Sequence, residues 1–453
     1  MTAEAELDRR GRVQRDLDAL FGLAWPVVLS RLGMMAMGLC DAVVVGRYSP
    51  VHLGWHAIAW APTTVVLVVG TSLLGGVQVM TARAVGEGRP QETGAVLRRG
   101  LGYGVWIGLV ALPVLFVLGP IILSLLRLPP DLVAGATPPL RIFALSMPLF
   151  VIGSALTAWL EGLGRPRIGA VLMWVANGVN LVALLFLVPG TLGLPALGAS
   201  GAALSTLIAR AFLTGALAVY ILRMPEARSL GVFTPAPPEP AAASEQARIG
   251  LGAGASGFFE MAAFAGMNVI AGWLGALPVA TWSIVVNIIS VVFMVPLGVA
   301  TAVSVLVGRA HGAGDMAGMR RVSLIAFGVT TAFCLLVSLG VAVGAPWIAA
   351  GYTRDPATLA LAVPAVLLAA AMILPDALQV VVAQSLRARG DILVPTITHF
   401  VSYIGVMAPL AWFLALPAGR GVNGIVEGVL IASALSASLL LGRFAILSRR
   451  PLP

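Results

Sequence analysis

Three acidic residues lie inside long apolar segments of this sequence, where an ionised side chain is least expected: Asp41, Glu260 and Asp376. An ionised side chain at the centre of a bilayer costs about 2.5–3.5 kcal/mol even on the lenient insertion scale. Burial disfavours the charged form of a carboxyl group, so such an acid can exchange a proton near neutral pH, or bind Na⁺ or a cationic ligand instead. These residues predict proton or cation coupling. The alternative is that each acid only hydrogen-bonds a neighbouring helix.

Glu260 and Asp376 are predicted to lie at the same depth in the membrane. Each is ten residues from the cytoplasmic end of its apolar segment, which is about 15 Å at the helical rise and close to the midplane. Asp41 is twenty residues into its segment, about 30 Å, toward the outer end. Matched depth permits contact between Glu260 and Asp376, and two neighbouring carboxyl groups titrate as a pair.

Uncharged polar side chains occur in the same apolar segments. In membrane helices they either join two helices by a hydrogen bond or contact an ion or a substrate, and the sequence leaves both interpretations open. The candidates are Asn177, Asn180, Gln78 and Gln379. Glu161 and Glu427 lie at helix ends, and we expect them to be solvated or capping acids.

Two arginines, Arg31 and Arg210, also lie inside helices, about 15–18 Å from the cytoplasmic ends. Burying two guanidinium groups without partners would cost several kcal/mol, so both should face the bundle interior. One interpretation is that each pairs with a helix-borne acid or Asn. The other is that one of them lines a substrate cleft and binds a carboxylate or phosphate, for which the planar fork of arginine is suited.

Twelve apolar segments carry these residues. The chain has 453 residues, of which 59% are hydrophobic and 10% charged, whereas soluble domains carry about 25% charged residues. Each segment is long enough for the roughly 20 residues of a membrane-spanning helix, and the chain is predicted to be an all-α membrane protein. The segments are approximately 21–45, 55–80, 98–125, 139–162, 167–189, 197–222, 250–274, 278–307, 322–350, 360–386, 393–416 and 423–447.

The charge of +9 does not indicate a nucleic-acid partner, because all 28 basic residues are Arg and most lie in short loops between apolar segments. Cys40 and Cys334 are inside apolar segments, and no His or Cys has the spacing of a metal site. Nothing resembles a complete nucleotide-binding loop. We therefore expect no ATP hydrolysis, no enzymatic activity, no organic cofactor and no zinc site.

The distribution of arginine predicts the orientation. The termini and the loops after even-numbered helices hold 21 Arg, including Arg387, and the opposite loops hold five. The positive-inside rule then places both termini in the cytoplasm of a bacterium, with the chain in the inner membrane. Residues 1–20 are predicted to be a cytoplasmic lead-in, and residues 448–453 a cytoplasmic tail.

An internal repeat divides the chain in two. The matched glycines are separated by 226 residues throughout, namely Gly86 with Gly312, Gly164 with Gly390, and Gly198 with Gly424. A constant offset over the whole length is a repeat signal. It predicts two six-helix bundles, 21–222 and 250–447, joined by a Pro-rich linker, 223–249. Because six is even, the bundles should be related by a pseudo-two-fold axis along the membrane normal, with a central cleft suited to alternating access.

Several short motifs stand out along the chain, namely Leu23–Pro26, Gly38–Gly46, Ala84–Gly88, Leu160–Pro166, Phe259–Glu260, Pro375–Val380 and Leu386–Asp391. These motifs resemble the multidrug and toxic compound extrusion (MATE) family, and in particular its NorM branch. The resemblance covers the whole chain, including its length, its twelve spans and the repeat.

The resemblance implies a cation-coupled antiporter that exports drugs or toxic organic compounds, working as a monomer in the lipid bilayer. It places one coupling site on Glu260 and Asp376 and another on Asp41 with Asn180, with Asn177 nearby. Two positions where the family often has an oxygen ligand are Leu184 and Met372 here, so a proton is favoured over Na⁺, although Na⁺ at Glu260 and Asp376 stays open. The residues predicted for the substrate cleft are Arg31, Arg210, Gln78, Gln379 and Met372.

Three other functions are alternatives to antiport. A lipid-linked oligosaccharide flippase of the same superfamily fits the same architecture. A membrane-embedded transferase would need a long extracytoplasmic loop with acids or His, and no loop is long enough. A channel would need neither a repeat with a central cleft nor separate buried acids.

Overall fold

The computed structural model describes residues 3–125, 129–191, 193, 195–235 and 239–449, with side chains from residue 11 onward. The predicted lead-in, linker and tail lie partly outside these residues, since 1–2, 236–238 and 450–453 are not described. Within the described residues the chain is almost entirely helical.

Twelve helices in the described part of the chain are long and apolar enough to cross a membrane, as predicted. Most extend several residues beyond the predicted apolar segments, because the chain stays helical past the apolar core. They are α1 (Gly11–Tyr48), α2 (Pro50–Gly86), α3 (Pro90–Leu125), α4 (Pro130–Gly162), α5 (Pro166–Leu187), α6 (Ala199–Arg223), α7 (Pro240–Leu274), α8 (Ala276–Gly312), α9 (Met316–Tyr352), α10 (Pro356–Arg389), α11 (Leu393–Ala415) and α12 (Gly421–Leu447).

Contacts divide the chain into two compact units, whose boundaries fall inside helices. The first, here called the N-unit, is Leu29–Gly254. The second, the C-unit, combines the chain up to Val28 with the chain from Ala255 onward. The first part of α1 therefore packs with the C-unit, where Gly298 of α8 meets Val28.

In the N-unit, the segment after α6 is held against the start of α3. The N–H of Gly94 donates to the carbonyl of Leu230 at 2.8 Å, and Arg98 donates to the carbonyl of Gly231 at 2.7 Å. A side chain at position 94 would collide with the backbone of Leu230 and Gly231. Glycine is therefore required where these two stretches of backbone meet.

Each unit has its own apolar core. In the N-unit, Trp159 is fully buried among helices and its indole N–H donates to the carbonyl of Thr93 at 2.9 Å. In the C-unit, Trp282, Tyr403 and Met372 lie in one buried cluster. These cores fix the helices that carry the buried polar residues described below.

Candidate functional site

Asp376 is the centre of a buried polar network in the C-unit. Its side chain is 3% exposed. Oδ1 accepts a hydrogen bond from Ser433 of α12 at 3.0 Å and from Gln379 of α10 at 3.3 Å. No described residue donates a hydrogen bond to Oδ2. One carboxylate oxygen is thus anchored, and the other is left for an exchangeable partner.

Gln379 connects three helices through its amide group. Besides Asp376, its Nε2 donates to the hydroxyl of Tyr403 on α11, and its Oε1 accepts from Ser436 of α12 at 2.8 Å. Tyr403 and Ser436 are fully buried. Buried networks in which every group has a partner rigidify their surroundings, so the position of Asp376 is fixed by α10, α11 and α12 together.

Local backbone features place these side chains. Pro375 lies inside α10 directly before Asp376, and because proline has no N–H, one backbone hydrogen bond of the helix is missing at that point. Tyr403 lies in a π-helical stretch of α11, Phe400–Met407. Such wide turns occur mostly within α-helices and often at functional sites.

Glu260 of α7 completes the acidic pair. Its side chain is half-buried, and it is close enough to Asp376 and to Arg387 for electrostatic interaction. The structure therefore brings together the two acids that the sequence placed at equal depth. Arg387 was expected in a cytoplasmic loop, which is wrong. It lies within α10, is 4% exposed, and donates to Ser256 of α7 at 2.6 Å.

Asp41 is the buried acid of the N-unit, 1% exposed. Thr206 of α6 donates to its Oδ2 at 2.7 Å, and Asn180 and Arg210 lie close enough to act on it electrostatically. Neither Oδ1 of Asp41 nor the amide group of Asn180 has a hydrogen-bond partner among the described residues. Asp41 and Asn180 are neighbours, and their predicted role as a coupling site stays a prediction.

Arg210 has partners within the N-unit. Its Nη1 donates to Ser146 of α4 at 2.6 Å. Its guanidinium lies over the rings of Phe150, 5.0 Å from the centroid, and Trp60, at 6.0 Å. With Asp41 nearby, this arginine has the helix-borne acid that one of the two interpretations required.

Arg31 and Gln78 meet at Glu161 of α4. Gln78 donates to Glu161 Oε2 at 3.2 Å, and Arg31 is close enough to Glu161 for electrostatic interaction. Glu161 is 7% exposed. The expectation that Glu161 is a solvated or capping acid is therefore wrong, because the end of α4 packs inside the N-unit, where Gln78 hydrogen-bonds this carboxylate at a buried position.

Two candidates remain, Asn177 and Met372. The amide of Asn177 donates to the carbonyl of Met173, one turn earlier in α5, at 2.9 Å. Met372 is fully buried among apolar residues of the C-unit. The predicted coupling role of Asn177 and the predicted substrate contact of Met372 stay predictions.

Sequence reasoning missed the hydroxyl and basic groups around the two acids. Ser433, Ser436, Thr206 and Tyr403 are individually unremarkable in a membrane helix, and no short motif marks them. The repeat aligns Arg387 with Glu161, but because Glu161 was itself expected to be solvated, the alignment did not indicate that Arg387 is buried.

The comparisons with known proteins agree with this arrangement. The family model described as MatE matches two stretches of the chain, 26–186 and 253–413. Matching the same model twice confirms the repeat on which the two-bundle prediction was based.

Similar proteins are bacterial multidrug resistance proteins. The chain is 54% identical to the probable multidrug resistance protein NorM of Caulobacter vibrioides, over 97% of this chain and 94% of that protein. It is 29% identical to the multidrug resistance protein PmpM of Pseudomonas aeruginosa, over 98% and 94%. A solved structure described as MATE in the bent conformation matches with a TM-score of 0.87 at 18% identity, covering 95% of this chain and 96% of that one, which confirms the fold.

Proposed function

We propose a proton-coupled mechanism for this chain, which belongs to the MatE family. The chain is a multidrug efflux transporter and a multi-pass protein of the bacterial inner membrane, with small-molecule substrates. The proposal concerns the coupling ion and the residues that bind it. We also propose that the transporter is a monomer with both termini in the cytoplasm. It uses no organic cofactor and carries out no covalent chemistry on its substrate.

The observation that carries the proposal is the proximity of Glu260 and Asp376 within one unit. Two carboxylates in a partly desolvated site repel each other, and a bound cation relieves that repulsion. A cationic drug can relieve it as well. If a proton and the drug exclude each other at this pair, proton entry drives drug release, which is antiport.

The hydrogen bonds around Asp376 favour a proton over Na⁺. A hard metal cation needs several oxygen ligands at once. Here two of the nearby oxygens already accept hydrogen bonds, since the carbonyl oxygen of Gln379 accepts from Ser436 and the hydroxyl oxygen of Tyr403 accepts from Gln379. A proton requires only one carboxylate oxygen, and Oδ2 of Asp376 has no donor from the described residues.

Transport by the purified protein in liposomes tests the proposal. Efflux of a fluorescent organic cation is measured with an imposed pH gradient or an imposed Na⁺ gradient. We expect the pH gradient alone to drive efflux, and Asp376→Asn and Glu260→Gln to abolish gradient-driven efflux while remaining folded and inserted. Glu427→Gln is the matched control, because Glu427 pairs with Arg420 away from the network. Efflux that requires Na⁺ and ignores pH would contradict the proposal.

A further inference from the structure

One cavity of the N-unit lies apart from the buried networks described above. Its volume is about 460 Å³, and its walls come from the end of α2, the start of α3, the segment after α6 and the start of α7. Small-molecule sites usually have volumes of about 300–1,000 Å³. The cavity lies between the predicted apolar segments 55–80 and 98–125, which places it at the boundary between membrane and water.

Arginines and glutamates form much of the wall of this cavity, and part of their charge is paired. Glu245 of α7 accepts a hydrogen bond from Arg83 of α2 at 2.5 Å. Arg89 forms ion pairs with Glu92, at 2.7 Å, and with Glu87. Three glutamates therefore gather around two of the lining arginines, and these two arginines are already held by carboxylates.

Three further arginines line the cavity without forming an ion pair with any described residue: Arg98, Arg99 and Arg228. Through Nη1, Arg98 donates to two backbone carbonyls of the segment after α6, at 2.7 and 3.0 Å. Arg99 donates through Nε to Gln246 at 3.1 Å. Arg228 is exposed and has no hydrogen-bond partner within the described part of the chain. A guanidinium has five N–H donors, so each of the three keeps donors for another acceptor.

The charge of the whole wall is positive. Its last charged residue is Glu239, which is exposed. The lining carries five arginines and four glutamates, so its net charge is +1. Because three of the glutamates lie at the two paired arginines, the positive excess is concentrated at the three unpaired ones. An anion is the ligand whose charge complements this arrangement.

We propose that this cavity binds the phosphate group of an anionic ligand, held by Arg98, Arg99 and Arg228. The planar guanidinium presents paired N–H groups that match the oxygens of a phosphate. At the boundary of a membrane such a group is supplied by the headgroup of an anionic phospholipid or by a soluble phosphate. The inference goes beyond the proposed transport mechanism and does not depend on it.

The surface of α3 next to the cavity favours the lipid as the source. Arg99, Gly102 and Trp106 are three and four residues apart, so they share one face of the helix. Trp106, and Leu109 beyond it, are exposed apolar residues, and they lie within an apolar segment long enough to span the membrane. A phospholipid whose phosphate is bound at Arg99 can therefore lay an acyl chain along this face of α3.

The bound group would connect two parts of the N-unit. Arg98 and Arg99 belong to α3, whereas Arg228 belongs to the segment after α6. This segment already contacts α3 through the backbone of Gly94. A ligand that needs all three arginines binds only the folded arrangement, and such binding raises the stability of the protein.

Lipid binding to the purified, delipidated full-length protein in detergent tests the inference. Native mass spectrometry measures the affinity for dioleoylphosphatidylglycerol, which is anionic, and for dioleoylphosphatidylcholine, which is zwitterionic. We expect the wild type to prefer the anionic lipid and to melt at a higher temperature in its presence. An arginine near the membrane surface contributes about a fivefold gain in affinity for an anionic lipid. Arg99→Gln combined with Arg228→Gln should therefore lose about 25-fold.

Two further variants separate this site from a general attraction between positive charge and lipid. Arg167→Gln combined with Arg223→Gln removes the same charge from two exposed arginines of the N-unit that do not line the cavity, and it should bind the lipid as the wild type does. Arg228→Gln alone breaks no hydrogen bond to a described residue and should lose about fivefold. This single variant decides the question if the cavity double variant does not fold.

Soluble phosphate identifies the source of the group. Inorganic phosphate that raises the melting temperature of the wild type, but not of the Arg228 variants, supports the site with a soluble ligand. Preference for phosphatidylglycerol with no effect of inorganic phosphate supports it with a lipid ligand. Binding of neither ligand, binding of either that is unchanged in the Arg228 variants, or an equal loss in the control variant would overturn the inference. These measurements use no ion gradient, so their result is independent of the test of proton coupling.

Discussion

Ser433 of α12 donates a hydrogen bond of 3.0 Å to Oδ1 of Asp376 on α10, with both side chains buried. The bond joins the same two helices as the bond from Ser436 to Gln379. It also orients the carboxyl group, because Gln379 binds the same oxygen. The second oxygen, Oδ2, is thereby turned away from both donors.

Removing that donor should weaken the C-unit. Ser433→Ala leaves Asp376 with one hydrogen bond fewer in a buried setting, and we expect a loss of about 1–3 kcal/mol in the free energy of unfolding at neutral pH. Thermal unfolding in detergent, followed by the fluorescence of a thiol-reactive dye, measures the change. Ser438→Ala is the control, because Ser438 is exposed on the same helix and donates only to the carbonyl of Ala434. Equal stability of the two variants would show that the Ser433 bond contributes nothing.

Arg210 should be needed for the stability of the N-unit. In Arg210→Gln the buried Asp41 loses its neighbouring positive charge, and the rings of Phe150 and Trp60 lose a stacked cation. Breaking a buried charge pair from one side typically costs about 3–5 kcal/mol. We expect a clearly lower melting temperature, while Arg223→Gln, at the exposed end of the same helix, stays near wild type.

A double variant tests whether the loss of stability in Arg210→Gln comes from the unpaired charge of Asp41. If the cost arises from leaving Asp41 uncompensated, Asp41→Asn combined with Arg210→Gln should be more stable than Arg210→Gln alone. Additive losses in the double variant would mean that Arg210 stabilises the unit through Ser146 and the aromatic rings only.

Gly94 should control the docking of the segment after α6. A methyl group at this position would meet the backbone of Leu230 and Gly231, so Gly94→Ala should release residues 225–235 from α3. Hydrogen exchange read by mass spectrometry should show faster exchange in that segment. Gly102→Ala, on the same helix with open space around it, should leave exchange unchanged and stabilise α3 by up to about 1 kcal/mol. Slow exchange in both variants would contradict the proposed role of the backbone contact.

The helices of the fold were predictable because membrane-spanning helices can be recognised by their length and hydropathy. Twelve apolar segments and a constant repeat offset required no tertiary information. The pairing of Glu260 with Asp376 was also accessible, since helical rise converts position into depth. Depth does not give the rotation of each helix about its own axis. That rotation decides whether two residues at the same depth face each other.

The polar surroundings of the acids were hidden from the sequence for that reason. Ser433 reaches Asp376 from another helix, and nothing in the order of residues distinguishes it from Ser438, five residues later. Glu161 and Arg387 were misjudged for other reasons. Arg387 lies one residue past the predicted end of its segment, whereas α10 continues to Arg389. Glu161 lies inside its predicted segment, and the error was to assume that the end of a helix is solvated, although this end is buried.

The hydrogen bonds of Gln379 have a directional consequence. A primary amide has two N–H hydrogens and one carbonyl oxygen. Here Nε2 donates hydrogen bonds to Asp376 and Tyr403, and Oε1 accepts one from Ser436. While Asp376 is ionised, a 180° flip of the Gln379 amide would bring its carbonyl oxygen next to the carboxylate. The two oxygens would repel each other, so only one orientation of the amide is stable. Once Asp376 carries a proton, its carboxyl group can turn so that the protonated oxygen faces Gln379 and donates to that carbonyl oxygen, and the hydroxyls of Tyr403 and Ser436 can reorient to suit. Both orientations of the Gln379 amide then satisfy every group. Proton uptake therefore gives the hydrogen bonds among α10, α11 and α12 a second arrangement of comparable energy, and the configurational entropy of this contact increases.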